Sequence, residues 1–145
     1  MVYVGSTGAI PELPKGNKIK EVEHYDADKV VGCYSRTKAM AAQKVMDAVK
    51  QKGLKACIVH PSGILGPGDF SNSTTTHLLL EILKGKMPIG MGGSFNLCDV
   101  RDLAAACISA VENGRIGESY IFGNKEVTLK QLSRLLVKES RCKPI

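Results

Sequence analysis

The chain has 145 residues, 43% hydrophobic, 5% aromatic and 23% charged, and its 20 Lys and Arg against 14 Asp and Glu give a net charge of +6. This is too aliphatic for a disordered chain and too short for two large domains. Its longest apolar run beside a helix, Leu103 to Ile108, falls far below the ~20 residues that span a bilayer, and Met1-Val2-Tyr3-Val4-Gly5 has no signal-peptide pattern, so a cytoplasmic protein with no membrane contact is expected.

Val2-Tyr3-Val4 predicts a short strand entering a turn of small residues, Gly5-Ser6-Thr7-Gly8. A polar connection runs from Pro11 to about Asp28, and such a length without periodicity is usually functional or mobile. From Cys33 onward Ala39, Ala42, Val45, Met46 and Val49 recur at helical spacing, with Lys50, Lys52 and Gly53 as the stop. Leu54 to His60 reads as a strand ending at Pro61-Ser62-Gly63, followed by a turn at Gly66-Pro67-Gly68-Asp69. Thr74 or Thr75 caps a helix to Lys84-Gly85, and Pro88 to Gly93 is a Gly-rich loop. A helix from about Asp99 runs through Leu103, Ala106, Cys107, Ala110 and Val111 to Asn113-Gly114. Glu118 to Phe122 predicts a strand, and Thr128 caps a last helix through Leu132, Leu135, Leu136 and Val137. Strand–helix–strand alternation argues for an α/β fold with a parallel crossover. A parallel strand needs neighbours, yet the first strand starts at the second residue, so a portion of a longer protein is expected.

The five cysteines, Cys33, Cys57, Cys98, Cys107 and Cys142, form no C-x-x-C pair and no disulfide framework. Cys57 and Cys107 sit in apolar stretches, where a thiol acts as a small hydrophobe. His24, His60 and His77 lack metal-ligand spacing, so no metal site is predicted. The lysines are dispersed, and their densest stretch, Lys15 to Lys20, has no aromatic interleaved. A solvated basic face accounts for them better than a nucleic-acid partner.

Tyr34-Ser35-Arg36-Thr37-Lys38 places a phenol and an ammonium at i and i+4, on one face where a helix begins. A phenol titrates near 10, so its use as a base near pH 7 costs about 4 kcal/mol. A cation about 4 Å away supplies that order of energy at an effective dielectric of about 20. A tyrosine served in this way can take a proton from an alcohol or give one to a carbonyl. The same spacing recurs in Tyr25-Asp26-Ala27-Asp28-Lys29. That copy lies in an acidic loop without helical periodicity, so exchanging Tyr25 is expected to matter much less.

Several blocks, taken in order, resemble the extended short-chain dehydrogenase/reductase family, also called the NAD-dependent epimerase/dehydratase family. Val2 to Thr7 is similar to its strand ending in a catalytic hydroxyl, and Tyr34 to Ala39 to its Tyr-x-x-x-Lys helix. His60-Pro61-Ser62-Gly63-Ile64-Leu65-Gly66-Pro67-Gly68-Asp69 is similar to its Arg-Pro-x-x-x-x-Gly-Pro-Gly segment. Asp99-Val100-Arg101-Asp102-Leu103-Ala104 matches a late helix start, and Gly117-Glu118-Ser119-Tyr120 a late strand. The resemblance implies that Tyr34 exchanges the proton, while Lys38 lowers its pKa and bonds the nicotinamide ribose. Thr7 aligns best with the hydroxyl that holds the substrate oxygen, with Ser6 its close rival. Pro61 and Ser62 would border the nicotinamide carboxamide, and Pro67 would shape the loop toward substrate. The Pro11 to Asp28 stretch would lie beside the active site, and Asp102 would be a helix N-terminal charge. NAD or NADP is the implied cofactor, and a homodimer through the Tyr34 helix the implied assembly.

Departures from the pattern narrow these expectations. No G-x-x-G-x-x-G turn occurs anywhere in the sequence, and Gly90-Met91-Gly92-Gly93 opens no helix. The chain is therefore expected to hold the C-terminal part of a Rossmann-type doubly wound parallel sheet over 1–68, and a small substrate-binding portion over 69–145. Weak or no binding of NAD(P) by the isolated chain follows. Thr7-Gly8-Ala9 replaces the Thr-Asp-Glu of sugar-nucleotide dehydratases, which disfavours dehydration. Phe95 stands where nucleotide-sugar epimerases place a diphosphate-binding Arg, so the pattern is closer to the dihydroflavonol-reductase-like branch. The expected activity is hydride transfer between a nicotinamide and a small carbonyl or secondary alcohol. A sugar-nucleotide epimerase and a non-catalytic remnant without cofactor affinity are the alternatives. His60 replaces the family's Arg for no reason visible in the sequence.

Overall fold

The computed structural model describes residues 1–14, 16–71, 73–86 and 93–140. Its contacts divide the chain into two compact units, Met1–Ser62 with Asp102–Phe122, and Gly63–Arg101 with Gly123–Ile145.

In the first unit β2 (Cys57–Pro61) is the central strand, buried along its whole length. It pairs in parallel with β1 (Val2–Val4) on one side and β5 (Ser119–Phe122) on the other. Cys57, Ile58 and Val59 suit a strand covered on both faces, where alternation with polar residues would leave charge in the core. Helix α1 (Cys33–Lys52) ends at Gly53, whose left-handed φ of 65° lets its N–H reach the Ala48 carbonyl. Lys50 and Lys52 in the last turn complement the helix dipole. Its buried face carries Ala39, Ala42 and Met46 at helical intervals. The two alanines leave room for the short 3-10 turn Thr7–Ala9, and the core closes over Ala9, Ile10, Tyr25, Val30 and Ile58. Each large aliphatic side chain buried there contributes about 1.5–3 kcal/mol.

Among the described residues, the polar connection after Pro11 has no regular structure, as its composition predicts, but it is fastened at several points. Ser119 Oγ donates to the Val22 carbonyl at 3.2 Å, and Gln43 Oε1 accepts from the Tyr25 N–H at 2.7 Å. Glu21 Oε1 accepts from the Ile121 N–H at 3.1 Å, a contact that covers part of the β5 edge. Near the start of α1, Arg36 reaches Asp28 at 2.7 Å.

The second unit is built on β3 (Gly63–Leu65), β4 (Ser94–Asp99) and β6 (Lys125–Thr128). β4 is central, parallel to β3 and antiparallel to β6. Helix α2 (Thr74–Leu83) packs against α4 (Leu129–Ser140). Ser73 caps α2 by accepting from the Thr76 N–H, and Asp69 accepts from Ser71 Oγ and the Ser73 N–H, both at 2.9 Å. Thr128 caps α4 as expected, its Oγ1 accepting from the Gln131 N–H.

Several sequence expectations are corrected. The middle strand begins at Cys57 rather than Leu54. The α2 cap is Ser73, because it precedes the first helical residue where Thr74 and Thr75 already lie inside. Strands β3, β4 and β6 were not foreseen, and the Gly-rich loop from Pro88 lies largely outside the described residues. The units interleave, in place of one boundary between 68 and 69. Pairing of β5 with β2 returns 102–122 to the first unit, and pairing of β6 with β4 returns the later residues to the second. Helix α3 (Val100–Asn113) starts at that division, with Asp102 in its first turn.

Gly114 lies where α3 turns toward β5, and a Cβ there would stand 2.3 Å from the Ala110 carbonyl oxygen and 2.7 Å from Cys57 Sγ. Backbone cannot yield as a side chain can. Gly114→Ala is expected to destabilise the chain by about 1–3 kcal/mol in urea unfolding, with the slope unchanged.

Candidate active site

The first two turns of α1 carry Tyr34 and Lys38. Lys38 Nζ lies over the Tyr34 ring, 5.6 Å from its centroid, so the i, i+4 pair faces one way. Tyr34 is 62% exposed. Solvent therefore screens the pair in this chain.

Ser6 and Thr7 lie just beyond β1, at the carboxyl end of the parallel sheet. Ser6 is extended, with φ −164° and ψ 146°, and its Oγ accepts from the Gly8 N–H at 3.2 Å as the cap of the 3-10 turn. Gly8 is the meeting point. A Cβ built there would lie 3.1 Å from Ser35 Oγ, 3.5 Å from Ser6 Oγ and 3.8 Å from Tyr34 Cε1. The turn and the start of α1 thus press together around a residue with no side chain. Both candidate hydroxyls, Thr7 and Ser6, belong to this one turn.

Pro61 and Ser62 end the neighbouring strand on the same sheet edge. The Ser62 N–H donates to the Phe122 carbonyl at 2.9 Å, which continues the ladder past β2. Among the described residues its Oγ is buried without a hydrogen-bond partner. An unpaired buried hydroxyl costs about 1–3 kcal/mol. A carboxamide, donor and acceptor together, has the chemistry to satisfy it, so the residues at this edge fit a nicotinamide.

The second Tyr-x-x-x-Lys copy resolves differently. Lys29 pairs with Asp26 at 3.5 Å, while Tyr25 turns inward and is only 2% exposed. Its hydroxyl lies 2.7 Å from Nε2 of His60, which is itself fully buried. His60 Nδ1 stands 2.9 Å from the Ser6 carbonyl oxygen and 3.2 Å from the Ser6 nitrogen. Burial pushes the Tyr25 phenol above its ordinary 10.0 and the His60 imidazole below its ordinary 6.5. Sequence reasoning took Tyr25 for a loop residue and left His60 unexplained. The available signal was an imidazole inside an apolar parallel strand, where it must find a buried partner.

Known proteins resemble this chain over most of its length. The model of the NAD dependent epimerase/dehydratase family matches residues 1–123. A protein named as a dihydroflavonol 4-reductase, from Synechocystis sp., is 32% identical over 133 residues, covering 89% of this chain and 38% of its own length. Sterol demethylase protein B of Methylococcus capsulatus is 31% identical over 139 residues, covering 94% and 41% respectively. This chain therefore spans about two fifths of either relative. The crystal structure of gox2253 superposes with a TM-score of 0.89 at 31% identity, over 99% of this chain and 43% of that one.

The two shifts set a pH window for stability. His60, lowered on folding, contributes above about pH 6.5, and that contribution is lost as pH falls through its folded value. Tyr25, raised on folding, contributes below about pH 10.0 and loses it as pH rises through its folded value. The urea midpoint should fall between pH 7 and 5, with a shallower fall in His60→Asn. An equal slope in both proteins would show that His60 is not neutralised by folding.

Proposed function

The chain belongs to the NAD dependent epimerase/dehydratase family, and from that premise we propose that it carries the proton-transfer part of a nicotinamide-dependent oxidoreductase acting on a carbonyl or secondary alcohol. The observation that supports this most is the convergence of Tyr34, Lys38 and the Ser6-Thr7 turn around Gly8.

Tyr34 gives its phenolic proton to the carbonyl oxygen in reduction and takes it back from the alcohol in oxidation. Lys38 holds the charge that develops on the phenol as the proton leaves, and its ammonium would bond the cofactor ribose. Ser6 hydrogen-bonds the same substrate oxygen, fixing it within reach of Tyr34, and Thr7 is the second hydroxyl of that turn. Pro61 and Ser62 would hold the carboxamide, which accounts for the unpaired Ser62 hydroxyl. When bound, NAD or NADP supplies or accepts the hydride. Water exclusion must come from substrate and cofactor, because Tyr34 is exposed in the chain alone.

The substrate class we infer is small and weakly charged. Phe95 stands at the register position opposite Val127, an apolar pair where a diphosphate would require a cation. Two relatives are named as a dihydroflavonol 4-reductase and as sterol demethylase protein B. A homodimer through α1 belongs to the same proposal, supported by the exposed Met40 on that helix.

Tyr34→Phe keeps the ring and removes the proton. In a longer chain that supplies the glycine-rich half, it is expected to lower carbonyl reduction at least ~100-fold while leaving NAD(H) and NADP(H) titrations by fluorescence unchanged. Turnover near wild-type in Tyr34→Phe would reject Tyr34 as the acid/base. Saturable cofactor binding by the 145-residue chain is the result that excludes a non-catalytic remnant.

A further inference from the structure

The proton-transfer reading above uses neither Tyr25 nor His60, although they form the one polar contact sealed inside the first unit's core among the described residues. We propose that Tyr25 and His60 are a positioning pair: the Tyr25 hydroxyl holds the His60 ring in the tautomer whose Nδ1–H grips the Ser6 carbonyl, which aims the Ser6 hydroxyl at the Tyr34 side of the turn. The proposal rests on the role given to Ser6 in the preceding section.

A neutral imidazole has one donor and one acceptor, so each buried nitrogen must be served differently. Two assignments are open to this ring. In one, Tyr25 O–H donates to Nε2 and Nδ1–H donates to the Ser6 carbonyl. In the other, Nε2–H donates to Tyr25 Oη and the Ser6 N–H donates to Nδ1. Ser6 offers Nδ1 both its carbonyl at 2.9 Å and its N–H at 3.2 Å, and a grip on the carbonyl requires the first assignment.

Steric fit fixes the ring as firmly as the hydrogen bonds do. A Cβ on Gly5 would stand 2.6 Å from His60 Nδ1 and 2.8 Å from its Cε1, so the imidazole occupies the space a side chain at position 5 would need. Gly5 is itself pinned to the sheet through its N–H and the Val59 carbonyl at 2.8 Å. Ser6 follows directly, so the ring that blocks position 5 also sets the plane of the next peptide. From there Ser6 Oγ reaches the Gly8 N–H and the crowded point beside Tyr34 Cε1. The ionisable and polar groups around the pair are few: Glu21 and Ser119 beside Tyr25, and Glu21 again near His60.

Side-chain substitutions separate the two ends of the ring. Asn places an N–H where Nδ1 stands but cannot reach Tyr25, and Gln places its amide near Nε2 but loses Ser6. Imidazole ¹⁵N shifts of the wild-type chain should report Nδ1 protonated, with a mixture of tautomers in Tyr25→Phe. Amide exchange at Gly8 should rise at least ~10-fold in His60→Gln and stay within ~3-fold of wild type in His60→Asn, with the Ile58 amide as the control for global opening. In turnover by a longer chain that supplies the glycine-rich half, kcat should fall ~10-fold or more in His60→Gln, with the cofactor KM unchanged, and recover in His60→Asn. Equal behaviour of Asn and Gln, or a wild-type ring protonated at Nε2, would overturn the proposal. Full turnover in Ser6→Ala with the exchange pattern intact would instead remove Ser6 from the mechanism of the preceding section and leave the grip on its backbone standing.

Discussion

An imidazole with no exposed surface must satisfy both nitrogens from within the protein, and that demand at His60 organises the first unit around it. Nε2 needs the Tyr25 hydroxyl, so the connection after Pro11 has to dip into the core at Tyr25 instead of running free over the surface. Once Tyr25 is inside, its neighbours are fixed: Gln43 meets its N–H, and Ser119 and Glu21 fasten the residues just before it to β5. Nδ1 needs Ser6, so the turn after β1 cannot move without unpairing a buried ring. A half-satisfied polar pair in a dry core would be worse than an apolar one, since each orphaned group retains its desolvation cost.

Placement on the sheet gives that pair its reach. Parallel strands deliver their carboxyl ends to one edge, where α/β proteins gather their chemistry. β1 brings Ser6 and Thr7 there, β2 brings Pro61 and Ser62, and α1 presents Tyr34 and Lys38 beside the first of these turns. In the proposed function these residues would manage a proton and one end of a cofactor. The phosphates of a dinucleotide need backbone N–H groups approached through a glycine-rich turn, and this sequence contains none. Catalytic placement and cofactor grip are thus separable, and the relatives, of which this chain spans about two fifths, extend well beyond it.

What was legible in the sequence was local. The Tyr34–Lys38 face follows from helical spacing within one turn, and Gly53 ends α1 because a left-handed residue without a Cβ is needed there. The Ser6-to-Gly8 turn and the strands on either side of α1 also follow from short-range pattern. β3 and β6 were missed because three or four residues carry too little periodicity, and Lys125-Glu126-Val127-Thr128 is mostly polar. β4 did carry a signal, the alternation of Ser94, Phe95, Asn96 and Leu97, hidden by the glycine-rich run before it. The choice between Ser6 and Thr7 was not legible at all. Both hydroxyls lie in the one turn before Gly8, and short-range pattern does not rank them.

The Tyr25–His60 contact joins residues 35 apart in sequence, and each looked anomalous alone. Tyr25 was a Tyr-x-x-x-Lys copy with no helix to sit on, and His60 stood where the family pattern has Arg. A guanidinium in this fully buried position would stay charged and would require a buried carboxylate close by. An imidazole can be neutral, and burial drives it that way. A neutral ring needs only a neutral hydroxyl and a peptide carbonyl, and Tyr25 with Ser6 supply both. The exchange of Arg for His and the inward turn of Tyr25 are therefore one solution: position 60 keeps a polar hold on the hydroxyl turn without placing an ionic pair in the core.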